Sequence, residues 1–217
     1  MANRWALLLA ALAWPAFASR YVPSRGWEDK EDALLHERWF GGQLAAMGEP
    51  VLASSRDLDG FIRRFRLTAL PSFRPGLAIR VDQRTDGGAN LHWVVLDGAG
   101  GHALGKVAKH GDRPLSREEV ARLASMIERA KLDEKPQEEK AVETGHSVTG
   151  DRGLRICGDG TAWIFEDLQP TNRDFVERNF CYADDPDLKR LIADVYLLAP
   201  ADLIKEPAFY YPQGVRP

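Results

Sequence analysis

Three histidines and two aspartates fall within one short stretch of this chain: His92, Asp97, His102, His110 and Asp112. Imidazole and carboxylate groups ligate metals and move protons near neutral pH. The spacing gives neither H-x-x-x-H nor H-E-x-x-H, so no helix presents two imidazoles on one face. Ordinary surface histidines are the plainer reading. A site, if there is one, belongs on the loop between Asp97 and Asp112, since functional groups concentrate on loops held by rigid scaffolds.

The same stretch carries Gly100-Gly101-His102-Ala103-Leu104-Gly105-Lys106, with the glycine and lysine spacing of a phosphate-binding loop. Val107 stands where a hydroxyl residue should hold magnesium, and residues 108–114 cannot form the long helix the motif requires. A glycine-rich connection using positive φ angles fits better. No G-x-S-x-G nucleophile elbow occurs. Trp93 and Trp163 sit on strand-like segments and could stack on a ligand, but large aromatics on strands ordinarily face a core. Arg63, Arg64 and Arg66 form a basic cluster that could receive an acidic partner, and a solvated strand face is the simpler expectation. No cofactor or metal site is implied.

The compartment bears on all of this. Arg4, an apolar run from Trp5 to Trp14, Pro15 and then Ala16-Phe17-Ala18 have the order of a secretory signal peptide, residues 1–18, cut before Ser19. A bilayer span needs about 20 apolar residues, and this run ends near Phe17. No cysteine follows it to take a lipid, so the mature chain is expected to have no stable membrane insertion and to be periplasmic or secreted. In that compartment Cys157 and Cys181, the only cysteines, are expected to pair. The bridge would contribute about 3 kcal/mol by loop-closure entropy. The chain has 29 basic and 32 acidic residues; losing Arg4 leaves 28 against 32, a formal charge of −4. That balance offers no general field for nucleic acid or anionic lipid.

The elements that must position these residues are legible in outline. Residues 19–60 form an N-terminal helical segment, with Leu34, Leu35, Arg38, Trp39 and Leu44 on a weak stripe interrupted at Gly41-Gly42. Residues 61–70, 77–82 and 91–96 alternate and read as a three-stranded antiparallel meander turning at Asp86-Gly87-Gly88. Residues 97–114 read as irregular. Ser116-Arg117-Glu118-Glu119 is a capping box, and Val120, Leu123, Ala124 and Ile127 line one face of the helix it opens.

Residues 133–153 are poor in large apolar groups and read as a mobile loop. Strands are expected at 153–157, 161–166 and 174–181, and Asp185-Pro186 caps a helix striped by Leu188, Leu191, Ile192, Val195 and Leu198. Residues 201–217 read as an extended tail. The sum is a single α+β domain over 61–200: a two-layer fold, antiparallel meander sheet under helices on one face, in a β-β-β-α order that suggests duplication.

Asp97-Gly98-Ala99-Gly100-Gly101, Leu115-Ser116 opening a helix, and Asp159-Gly160-x-x-Trp163-x-x-Glu166 together resemble a group of uncharacterised bacterial secreted α+β proteins. The resemblance spans residues 61–198. It implies a shared fold, because its motifs are glycine turns and core aromatics, and it brings no activity. The functional expectation is an exported, non-enzymatic domain that binds another macromolecule, such as an envelope protein, or supports the envelope. The alternative is a metal-dependent or acid–base hydrolase using His92, Asp97, His102 and His110.

Overall fold

Alternating side chains along a strand serve two faces at once, and in this chain both faces of the three central strands are sealed along most of their length. A computed structural model describes residues 21–23, 30–101, 103–137, 160–180, 185–200 and 203. Its strands are β1 (Phe61–Pro71), β2 (Leu77–Arg84), β3 (Ala89–Leu96), β4 (Val107–Leu115), β5 (Thr161–Leu168) and β6 (Arg173–Arg178). They form one antiparallel six-stranded sheet in the order β4-β3-β2-β1-β5-β6. Each half of the chain thus starts at the centre, with β1 beside β5, and meanders outward. The α+β architecture expected from the sequence is the one observed.

Leu67, Ile79, Leu91, Trp163, Phe165 and Val176 point to one face, where α3 (Arg117–Ala130) and α4 (Pro186–Leu198) pack side by side. The Ser116 capping box forms as read, with Ser116 Oγ accepting from Glu119 N and Glu119 accepting from Ser116 N. Asp185 accepts from Leu188 N, and Pro186 occupies the first turn of α4. Trp163 is buried against Tyr196 of α4, a core role.

The N-terminal segment lies on the opposite face and adds a third layer over part of the sheet. Phe40, Leu44 and Met47 meet Leu70, Ala78, Ile164 and Phe175 there. Gly41-Gly42 does not interrupt this helix. α1 (Lys30–His36) passes through a π-helical turn, Glu37–Gly41, directly into α2 (Gly42–Met47). The wider turn rotates the buried stripe, leaving Leu34 and Leu35 exposed and burying Glu37, Phe40 and Gln43. Glu37 folds back over Gly41, where a Cβ would lie 2.6 Å from its Oε1, and accepts the Val22 N–H at 2.8 Å.

Residues 97–114 are not irregular throughout. Only 97–106 form a loop, and β4 follows as a fourth meander strand. Its exposed, charged, glycine- and proline-containing sequence hid it, as edge strands often do. The expected strand at 153–157 lies outside the described residues.

Candidate functional site

The basic cluster on β1 splits between the two faces. Arg63 joins Asp167 on the α3–α4 side through a two-pronged contact, both distances 2.7 Å. Arg64 and Arg66 point the other way and are buried, Arg66 completely, so the expectation of a solvated strand face is overturned. A guanidinium in that position needs carboxylates. The register supplies them: Arg66 stands between Arg80 of β2 and Glu166 of β5, and the same row continues to His92 of β3 and Asp112 of β4.

Arg66 Nε donates to Glu166 Oε2 at 2.7 Å, and its Nη1 donates to the Pro50 carbonyl at 2.7 Å and to Glu49 at 3.3 Å. Glu49 reaches in from the loop after α2 and also accepts from Arg80 Nη1 at 2.6 Å. Arg80 Nε sits 3.0 Å from both oxygens of Asp82, which also receives Arg64 at 2.8 and 3.2 Å. Arg173 of β6 ties Glu166 to the Tyr21 carbonyl. Four guanidiniums and three carboxylates therefore interlock beneath the loop after α2.

Burial alone would depress the Arg66 guanidinium, but Glu166 and Glu49 outweigh it and hold its pKa above the ordinary value. Burial likewise penalises the Asp82 carboxylate, yet Arg64 and Arg80 hold its pKa below the ordinary range. Arg173, nearer the edge, is lowered by burial despite Glu166.

His92 marks where this network meets solvent. Its Nε2 lies 3.4 Å from Asp82 Oδ2, with the imidazole 29% exposed. Burial, followed by the Arg80 charge, lowers its pKa against the opposing pull of Asp82, Asp112 and Glu49. The helical layer touches β3 only further along, at Val94 and Leu96. Asn90, His92 and Val94 are half-buried, and His110, Asp112 and Pro114 are exposed on the same face, forming an open ledge. Val94 pairs with His110 and His92 with Asp112, which makes the two histidines diagonal neighbours.

The remaining sequence candidates are placed differently. Asp97 closes its loop by accepting the Lys106 N–H at 2.7 Å. Gly100, Gly101 and Gly105 all have positive φ, and a strand follows Lys106, the setting of a tight connection. That loop is fastened to the helical layer by Trp39 and Gln43, which both donate to the Gly101 carbonyl. Trp93 is half-buried on the α3–α4 face, its ring lying across Gly111. His102, Cys157 and Cys181 lie outside the described residues.

Sequence reasoning missed Glu49, Arg80, Asp82, Glu166 and Arg173. The signal for two of them was present: Arg80 and Asp82, like Arg64, Arg66 and His92, share a strand with apolar residues of the opposite parity. Among the described residues, no group of three or more His, Cys, Asp or Glu is placed to hold a metal ion, and no helix is long and apolar enough to cross a membrane. The fold and site define an α+β protein with a charged network buried in a sheet face. No family model, curated protein or solved structure matches the chain.

Proposed function

We propose that the chain is an exported, non-enzymatic domain that presents the open ledge of its sheet to a macromolecular partner in the cell envelope. One observation carries this reading: among the described residues the helical layer reaches β3 at Val94 and Leu96 and leaves His110, Asp112 and Pro114 of β4 exposed, while the buried network fixes the side chains at its margin. Rigid backing for an exposed polar surface suits recognition, because little ordering is left to occur on binding. Removal of residues 1–18 and a Cys157–Cys181 bridge belong to the same proposal.

A photo-cross-linkable residue at Asn90 tests it. Expected is a discrete adduct with a different polypeptide in envelope preparations, absent with the probe at exposed Arg117; equal yields at both, or none at Asn90, defeat the reading. Intact mass should place the mature N-terminus at Ser19. Thiol titration of denatured, unreduced protein should find no free sulfhydryl, and two would remove the bridge.

A hydrolase using His92, Asp97, His102 and His110 draws on the His92–Asp82 contact, which orients an imidazole with a lowered pKa. Melting with zinc, calcium and manganese separates the readings. A melting temperature raised by one ion favours the hydrolase.

A further inference from the structure

The outer edge of β4 is the longest exposed strand edge among the described residues, and its residues are self-complementary. Val107 to His110, Asp112 and Pro114 are all exposed. Which backbone groups are free follows from the hairpin before it. Arg84 N donates to the Gly88 carbonyl at 2.8 Å, so Asp82 and Asn90 face each other as a hydrogen-bonded pair. Bonding direction alternates along a strand. Asn90, His92 and Val94 therefore bond towards β2, and Ala89, Leu91, Trp93 and Val95 bond towards β4.

Their partners Leu115, Arg113, Gly111 and Lys109 point inward, which leaves the N–H and C=O groups of His110 and Asp112 directed out of the sheet. Pro114 fits this assignment, since it falls at an outward position and has no N–H to offer.

We infer that β4 pairs antiparallel with β4 of a second copy of this chain, about a two-fold axis at Gly111 normal to the sheet. Such an axis keeps each face continuous and requires paired residue numbers of equal parity. Three registers then bring the outward groups together. Centring on His110 sets the two histidines against each other, and centring on Asp112 sets carboxylate against carboxylate.

Only the register centred on Gly111 puts His110 opposite the second copy's Asp112, twice, so that an imidazole N–H donates to a carboxylate at each. Each of these pairs also exchanges two backbone hydrogen bonds. The axis passes where the strand has no side chain, and the Trp93 ring already extends over Gly111, a Cβ there lying 2.3 Å from it. Two indoles thus flank the axis on the α3–α4 face and supply apolar contact. On that face Lys109 comes opposite the second copy's Arg113, whose charge is taken up by Glu119 at 2.6 and 3.1 Å and by the Leu198 carbonyl. The ledges of the two copies become one continuous surface.

This inference rests on the sheet edge and is independent of what the ledge binds. Sedimentation equilibrium of the purified mature chain is the test, with far-UV circular dichroism to show that each exposed-site variant is folded. The wild type should be a dimer. H110D sets carboxylate against carboxylate and D112K sets ammonium against imidazole, and each should weaken association roughly ten-fold or more. Combining H110D with D112K recreates an opposite-charge pair and should restore the dimer. A monomeric wild type, or a dimer that neither single variant weakens, overturns the proposal. Weakening by both singles without recovery in the double variant overturns the register.

Discussion

Glu166→Gln tests whether the buried network is a single unit. The substitution preserves shape and an acceptor oxygen but removes the charge opposite Arg66, a guanidinium with no solvent exposure. Arg66 then keeps the Pro50 carbonyl and a longer contact to Glu49, which Arg80 already occupies. Removing one member of a buried pair costs about 3–5 kcal/mol, and the retained contacts place this case near 3. A domain of this size has about 5–15 kcal/mol in total. With a urea slope of about 2 kcal/mol/M, the unfolding midpoint should fall by roughly 1.5 M with the slope unchanged. Combining Glu166→Leu with Arg66→Met replaces both charges by apolar groups and should cost less than the sum of the single changes. A loss under about 1 kcal/mol for E166Q, or additivity within roughly 0.5 kcal/mol, would show that the network contributes no coupled stability.

His92 has a folded-state pKa below its ordinary value, so the unfolded chain binds a proton that the fold resists. Stability should fall as pH drops through about 6.5, and His92→Gln should flatten that slope in pH-dependent urea melts. Asp82 has a linkage of the same sign in a lower window: its depressed carboxyl pKa supports the fold above about pH 4, and that support disappears as acid protonates it. D82N should therefore be less stable at pH 7 and show a shallower acid transition by circular dichroism. Gly111→Ala forces a methyl against the Trp93 ring and should cost about 1–3 kcal/mol, with a change in tryptophan emission. Ser116→Ala removes the acceptor for the Glu119 N–H and should cost about 1 kcal/mol in thermal melts.

Where side-chain chemistry is local, the sequence was legible. The Ser116 box, the Asp185-Pro186 start of α4 and the Asp86-Gly87-Gly88 turn each place their cue within a few residues of its effect. β4 escaped because Lys109, Gly111 and Pro114, residues common on the outermost strand of a sheet, are also those that mark a loop. The N-terminal stripe was misjudged because a π-helical turn shifts the helical phase partway along, and no residue type announces it. The ledge was half legible: His92, His110 and Asp112 were noted as a group, but only strand register shows that they share a face.

The buried charges were harder to see, since an arginine among apolar residues on a strand is read by default as facing water. What decides otherwise is a partner about 100 positions away, and that distance explains what the pairs accomplish. β1 and β5 begin the two halves of the fold and meet at the sheet centre, with no hairpin to set their register. Alternation of faces forbids a one-residue slip but tolerates a slip of two. A two-residue slip would set Arg66 against Ile164 or Leu168, and in the second of these registers Arg63 on the other face would also move away from Asp167. An unpaired guanidinium buried in that way costs several kcal/mol, far more than an apolar mismatch. The Arg66–Glu166 pair thus penalises a two-residue slip in either direction, and the Arg63–Asp167 pair on the other face of the seam adds to the penalty in one of them. The Arg66–Glu166 pair also anchors the row that runs through Arg80 to His92, so the device that aligns the two halves also fixes the margin of the ledge.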